Sequence, residues 1–155
     1  MWARQSYRWS DLDFEANKRE GIAIDWPIRY RDIAPWYSYV ERFIGVSGDA
    51  QGLPELPDGE FQKPMEMNVV EKHVAKKISN AFPGRKMFIG RVATLTEPLH
   101  GRAPCHYCGP CHRGCSGGSY FSSLSSTLPA AESTGNLSLM ANSLVESLEY
   151  DAVSQ

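Results

Sequence analysis

All four cysteines of the chain lie in one short run, residues 105–115, with the spacing C-x2-C-x2-C-x3-C. Intervals of two or three residues allow several thiolates to point at one centre, as in the bacterial runs that hold an iron–sulfur cluster. This pattern constrains the fold because it predicts one Cys/Gly-rich loop, residues 105–118, built around a bound group. The candidate metal ligands are Cys105, Cys108, Cys111 and Cys115.

Other interpretations of this cysteine loop stay open. Zinc could take four thiolates, or thiolates together with His106 or His112, in a tetrahedral site. A ferredoxin run usually has proline after its last cysteine, whereas Ser116 stands there in this chain. Four reduced thiols in a glycine-rich loop are the third alternative. Disulfides are less favoured, because bridges between cysteines so close in sequence are strained.

Composition limits the classes of partner. A length of 155 residues suits one domain, and a net charge of −2 does not favour nucleic acid as a partner. The chain has no apolar run of about 18 residues, so no membrane span is predicted. The first residues lack the apolar core of a signal peptide. The compartment is therefore open between cytoplasmic and, if a preceding segment carries a signal, exported to the periplasm.

Positively charged residues are confined to the first part of the sequence. All 16 lysines and arginines occur at or before Arg113, and the last 42 residues contain none. Such asymmetry is more typical of a piece of a larger surface than of a balanced domain. We therefore expect residues 1–155 to be an internal fragment of a longer protein.

Periodicity and turn residues predict a mixed α/β chain. Helices are predicted at 33–44, 69–82 and 128–131, and strands at 86–93, 137–140 and 144–150. Asp32 is expected to cap the first helix and Gly45 to end it. Its apolar face is expected to pack in a core. Residues 1–26 are rich in aromatic side chains but show neither helical nor alternating periodicity, and nothing in the chain obviously covers them.

Common catalytic fingerprints are missing from the chain. It contains no G-x-G-x-x-G, P-loop, G-x-S-x-G or H-E-x-x-H. Gly117 and Gly118, followed by serine-rich residues 119–126, could cradle a phosphate, although a loop leading into a short helix is favoured. The residues by themselves therefore do not name a reaction.

A series of short motifs does point to a family. They run from about Trp2 to Asp151: WPIRYRDIAPWY at 26–37, Glu41, GVSG at 45–48, LPDG at 56–59, RVATLT at 91–96, GC at 114–115, LPAA at 128–131, TGNL at 134–137 and Val145. Their order and spacing resemble the middle of a glucose–methanol–choline (GMC) family flavoprotein oxidoreductase. The resemblance is greatest to the bacterial branch with gluconate-, sorbitol- and glucose-dehydrogenase-like subunits.

The resemblance implies a two-domain flavoenzyme, with a Rossmann-type FAD-binding domain and a substrate domain. Such enzymes pass hydride from a CH–OH group of a sugar, polyol or other alcohol to the flavin of FAD, while the protein binds and orients the cofactor. The family's amino-terminal G-x-G-x-x-G and its carboxy-terminal catalytic histidine have no counterpart in residues 1–155. The chain would then be a partial GMC oxidoreductase without a catalytic residue of its own, and inactive alone.

The resemblance also implies a few site residues. Trp2 and Arg4 match a segment that passes beside the isoalloxazine of FAD, and Val145 matches a strand residue whose backbone meets the adenine. The cysteine loop matches a region where some dehydrogenases of this branch carry an iron–sulfur cluster, on a wider spacing. The partners would be an alcohol or sugar substrate and an electron-acceptor subunit or cytochrome. The alternative is a small iron–sulfur electron-transfer or zinc-binding module.

Overall fold

The computed structural model describes residues 4–151 as helices joined by extended segments. The helices are α1 (Asp11–Glu20), α2 (Tyr30–Ile44), α3 (Val69–Ala81) and α4 (Thr127–Ser133), with a 3-10 turn at Cys111–Arg113. Between residues 4 and 151 the extended segments pair through single bridges and form no continuous strand. None of the helices in this range is long and apolar enough to cross a membrane.

The centre of the fold is the extended segment 91–95, which pairs with three distant parts of the chain. Val92 exchanges backbone hydrogen bonds with Ser47 at 2.9 and 3.0 Å. Ala93 donates its N–H to the Arg4 carbonyl at 2.9 Å, and its own carbonyl accepts from Phe121 N–H at 3.0 Å. Buried apolar side chains surround this crossing: Val46, Ala93, Leu95 and Tyr120.

Helix α1 was not predicted, because its sequence lacks an apolar stripe. Its amino-terminal end is held by a capping box, in which Ser10 Oγ accepts from Leu12 N–H at 3.2 Å and Asp13 Oδ2 accepts from Ser10 N–H at 2.7 Å. Gly21, at φ 66°, ends it in the left-handed conformation. Local capping, rather than amphipathicity, therefore defines this helix.

Of the aromatic residues near the amino terminus, Phe14 is covered by its neighbours, whereas Trp9 and Trp26 stay 52% and 43% exposed, so the expectation that nothing covers them is corrected for Phe14. Phe14 is 2% exposed and meets the rings of Trp9 and Trp26 edge-on, at centroid distances of 5.9 and 6.2 Å. Trp9 and Trp26 also meet edge-on, at 6.1 Å. This geometry is one that aromatic quadrupoles favour. The three rings form a small separate cluster beside α1.

Helix α2 confirms the predicted helix and its end at Gly45, but it begins at Tyr30, three residues early. Asp32 acts from the first turn, where its carboxylate accepts from Arg29 N–H at 2.8 Å, and Arg29 is the cap residue. The expectation that the apolar face packs in a core is wrong. Trp36 is 68% exposed and Val40 48% exposed, and the buried residue of the helix is Glu41.

Helix α3 confirms the predicted helix to within one residue. Asn68 caps it by accepting from Glu71 N–H at 2.9 Å, while the Glu71 carboxylate accepts from Asn68 N–H at 2.7 Å. No side chain of α3 is buried, and Val70 is 70% exposed. Capping and periodicity therefore form the helix here without a covering surface.

Two strand predictions are wrong and one is correct only at its end. Residues 137–140 and 144–150 form no strand, and their large apolar side chains, such as Leu144 and Leu148, are exposed. In the predicted strand 86–93, only Val92 forms bridges. A strand needs hydrogen bonds from a neighbouring segment, and alternation alone supplies none. The short helix predicted at 128–131 is confirmed as α4. The two-domain Rossmann-type arrangement stays a prediction.

Candidate functional site: the cysteine loop

The two ends of the cysteine loop are tied to one buried residue. Leu95, which is 0% exposed, accepts a hydrogen bond from Cys105 N–H at 2.8 Å and donates its own N–H to the Ser119 carbonyl at 2.9 Å. Ala103 N–H donates to the Gly117 carbonyl at 3.0 Å and closes the base of the loop. These hydrogen bonds therefore hold the two ends of the loop together at the central segment 91–95.

Cys115 lies near the second end of the loop, and it is the cysteine whose sulfur contacts a serine hydroxyl. Its sulfur lies 3.1 Å from Ser119 Oγ, and the side chain is half-buried. The hydrogen bond with Ser119 lowers the pKa of Cys115 to about 7, helped by the backbone N–H of Tyr120 and opposed by burial. A thiol with this pKa is substantially ionised at neutral pH, and the thiolate is the nucleophilic and metal-binding form.

The other cysteines become more exposed toward the tip of the loop. Cys105 is half-buried, and its sulfur accepts from Tyr107 N–H at 3.4 Å. Tyr107 has a φ of 59°, a left-handed conformation that is uncommon for a residue other than glycine. Cys108 and Cys111 are exposed. The chain thus turns sharply after Cys105 and carries the two middle thiols into solvent.

The metal-ligand prediction for Cys105, Cys108, Cys111 and Cys115 stays a prediction. All four cysteines are free, in agreement with the expectation against disulfides. Between residues 4 and 151, no three side chains of histidine, cysteine, aspartate or glutamate come together in a metal-binding arrangement. The loop as it stands does not present a formed ligand set, so we assign no chemical step to a metal here.

The predicted flavin residues are not brought together in the part of the chain that the structure describes. Trp2 lies outside the described residues. Arg4 donates from Nε to the Phe121 carbonyl at 2.9 Å, and its guanidinium lies 4.3 Å from the centre of the Tyr120 ring. Val145 is 75% exposed. The assignment of Trp2, Arg4 and Val145 to flavin binding stays a prediction.

The buried arginine at the head of the central segment 91–95 was not predicted from the sequence. The Arg91 side chain is 0% exposed, and it donates to the Pro57 carbonyl at 2.7 Å and to Asp58 Oδ1 at 2.6 Å. The Phe61 ring lies 4.7 Å from its guanidinium. Arg91 thereby fixes the loop 57–61 against the central segment. The only sequence signal was its place at the head of the RVATLT motif.

Comparison with known proteins gives one partial match to a dehydrogenase. No protein-family model matches the chain. It is 28% identical over 100 residues to 2-methyl-1,2-propanediol dehydrogenase from Mycolicibacterium austroafricanum. The match covers 61% of this chain and 18% of the relative, so the chain spans less than a fifth of that relative's length. The chain is therefore similar to part of an oxidoreductase, and membership of the GMC family stays a prediction.

Proposed function

We propose that this chain is part of an FAD-dependent oxidoreductase that oxidises a CH–OH group of an alcohol, diol, sugar or polyol. The observation that carries the proposal is the similarity over 100 residues to a dehydrogenase whose named substrate is a diol. The ordered motifs that resemble the GMC family supply the flavin part of the proposal. The coverage of 18% of the relative supports a role as one portion of a larger enzyme.

In this proposal the chain contributes a scaffold and an ionisable thiol rather than the reacting groups. Flavin, when bound, supplies the hydride chemistry. Trp2, Arg4 and Val145 remain the predicted flavin contacts of this chain. Backbone hydrogen bonds from the central segment 91–95 hold both ends of the cysteine loop, and Cys115 lies beside Ser119 there. A partly ionised thiol on a rigid support is suited to binding a metal or accepting modification.

The test is to isolate the native polypeptide with an antibody raised against the exposed helix α3. Its mass and flavin absorbance are then measured, followed by dye reduction with a panel of diols, polyols and sugars. The proposal expects a polypeptide well above 17.3 kDa that carries flavin and reduces the dye with at least one alcohol. A flavin-free polypeptide of 17.3 kDa would contradict it.

The cysteine spacing supports a second candidate, a small iron–sulfur electron-transfer or zinc-binding module. Metal analysis of the purified 155-residue chain tests it. This candidate expects one zinc ion or one cluster per chain, and Cys111→Ser should release it. Metal content that is unchanged by Cys111→Ser, or absent under anaerobic reconstitution, would contradict ligation by the cysteine loop. A Ser116→Ala variant is the matched control, because Ser116 lies in the same loop and cannot supply a thiolate.

A further inference from the structure

Three methionines from two separate parts of the chain line one cavity. The cavity has a volume of about 340 Å³, and Met65, Met67 and Met87 all contribute to its wall. Each of the three residues is half-buried, so they border an open space and are not enclosed in the protein interior. The cavity is separate from the cysteine loop, because none of its described lining residues comes from 105–118.

Backbone pairing explains why methionines from distant positions meet. Ser47 pairs with Gln62 in the same chain direction and with Val92 in the opposite direction. Hydrogen bonds of 2.9 and 3.1 Å join Gln62 to the residues on either side of Ser47. The chain after Gln62 and the chain before Val92 therefore leave this pairing toward the same end. Met67 lies five residues beyond Gln62, and Met87 lies five residues before Val92, so the two methionines arrive at a similar distance from it.

The M-x-M spacing accounts for the third methionine. Successive side chains of an extended chain point to opposite sides, so residues two apart share a side. Met65 and Met67 both line the cavity, whereas Glu66 between them is exposed and is not among the lining residues. The segment ends at Asn68, which is extended, with φ −71° and ψ 173°, and caps helix α3. The segment that carries the two methionines is therefore held at both ends.

The wall combines soft sulfur atoms with one carboxylate. Thioether sulfur is a soft ligand that selects Cu(I), whereas carboxylates and carbonyls suit harder cations. Among the described lining residues the charged one is Asp49, whose Oδ2 accepts from Gln51 Nε2 at 3.1 Å. The Lys86 ammonium donates to the Gln51 carbonyl at 2.6 Å and is not part of the wall. The net charge of the lining is therefore negative, which favours a cation.

We propose that this cavity binds one Cu(I) ion through the thioether sulfurs of Met65, Met67 and Met87, with the Asp49 carboxylate as the neighbouring countercharge. Methionine is unbranched and has three rotatable bonds, so its sulfur can move to meet an ion in a cavity larger than the ion. Methionine also fills gaps in apolar cores. A core role, however, requires neither a shared open cavity nor a carboxylate in its wall. The inference goes beyond the proposed flavoenzyme activity and does not depend on it.

NMR spectroscopy of the full 155-residue chain, labelled with carbon-13 at the methionine methyl groups, tests the site. All four cysteines are replaced by serine, because their thiolates are also soft ligands and would compete for Cu(I). Cu(I) is added anaerobically in the presence of ascorbate. We expect the methyl resonances of Met65, Met67 and Met87 to shift together and to saturate at one ion per chain. Met140, which is 80% exposed and does not line the cavity, is the internal reference and should not shift.

Single variants identify the ligands, and competition with the Cu(I) chelator bicinchoninate measures the affinity. Met87→Leu should weaken Cu(I) binding by at least about tenfold, because it removes one of three ligands at nearly constant side-chain volume. Met140→Leu is the matched control, since it makes the same change outside the cavity and should leave the affinity unchanged. Zn(II) should not shift the three resonances, because it prefers thiolate, imidazole and carboxylate ligands.

If circular dichroism shows that the serine-substituted chain is unfolded, the wild-type chain is titrated instead. The three resonances should then shift only after the thiols have been filled. Absence of saturable shifts in Met65, Met67 and Met87, or an equal shift in Met140, would overturn the proposal. Wild-type affinity in Met87→Leu would also overturn it. A shift of the same resonances by Zn(II) would assign the binding to the Asp49 carboxylate and would contradict ligation by the thioethers.

Discussion

Arg8 and Glu41 form a buried, two-pronged ion pair, with Nε–Oε1 at 2.8 Å and Nη2–Oε2 at 2.6 Å. The two side chains are 4% and 6% exposed. Arg8 also donates to Tyr30 Oη at 2.8 Å and to Ser38 Oγ at 2.9 Å. These bonds raise the pKa of Arg8, so the guanidinium stays charged. The pair fastens the amino-terminal segment to helix α2.

Removing one partner of this pair should be severely destabilising. Glu41→Gln leaves the Arg8 charge buried without its carboxylate, and we expect a loss of about 3–5 kcal/mol in the free energy of unfolding. Urea unfolding followed by circular dichroism measures it. The control is Glu97→Gln, which breaks the more exposed pair with Lys63 and should cost about 0.5 kcal/mol. Equal losses in the two variants would show that the buried Arg8–Glu41 pair contributes no more to the free energy of unfolding than an exposed pair does.

Asp58 should make the protein less stable in acid. Burial alone would raise the pKa of Asp58, but hydrogen bonds from the backbone N–H groups of Gln51 and Gly52, together with Arg91, lower it below its ordinary value. The unfolded chain then binds a proton more readily than the folded chain does. The stability contributed by Asp58 is therefore present above its unfolded pKa of about 3.9 and is lost as the pH falls through the lower folded value.

Urea unfolding between about pH 5 and pH 3 measures this effect. Asp58→Asn should lower stability at about pH 5 and flatten its decline toward about pH 3, because the titrating group has been removed. The control, Glu146→Gln, changes an exposed carboxylate and should leave the wild-type slope. A slope in Asp58→Asn as steep as that of the wild type would contradict the assignment.

Cys115 should be alkylated at a rate that reaches half its maximum near pH 7, because its pKa is about 7. Ser119→Ala removes the main hydrogen bond to the sulfur and should shift this midpoint to higher pH. Peptide mass spectrometry of metal-free protein, treated with iodoacetamide across a pH series, measures the rate at each cysteine. Ser116→Ala, in the same loop, should leave the midpoint unchanged. An unchanged midpoint in Ser119→Ala would assign the shift to the backbone donors instead.

Leu95 and Val70 should respond very differently to truncation. Leu95 is 0% exposed and packs so closely on Gly45 that no Cβ could be accommodated there, so Leu95→Ala should cost about 2–5 kcal/mol. Val70 is 70% exposed, and Val70→Ala should change stability by less than about 0.5 kcal/mol. Thermal unfolding compares them. A large loss in Val70→Ala would mean that α3 is covered in solution.

Sequence alone determined the helices that combine local hydrogen bonds with an apolar period, whereas α1, which lacks that period, was not predicted. Helices α2 and α3 were predicted because apolar residues recur at helical spacing before a breaker, and the hydrogen bonds of each helix lie within a few residues of one another. The position of the cysteine loop follows from sequence for the same reason, since four thiols within eleven residues must share one loop.

Only the tertiary structure decided what depends on distant parts of the chain. Segment 91–95 is the centre because residues near 5, 47 and 120 supply its hydrogen bonds, and periodicity cannot choose such partners. The buried arginines depend on the same distance, since Arg8 finds Glu41 and Arg91 finds Asp58 more than thirty residues away. Residues 137–150 form no strand, although their alternation predicted two strands there. Local hydrogen bonds can be read from neighbouring residues, whereas burial and pairing are fixed by which distant surfaces meet.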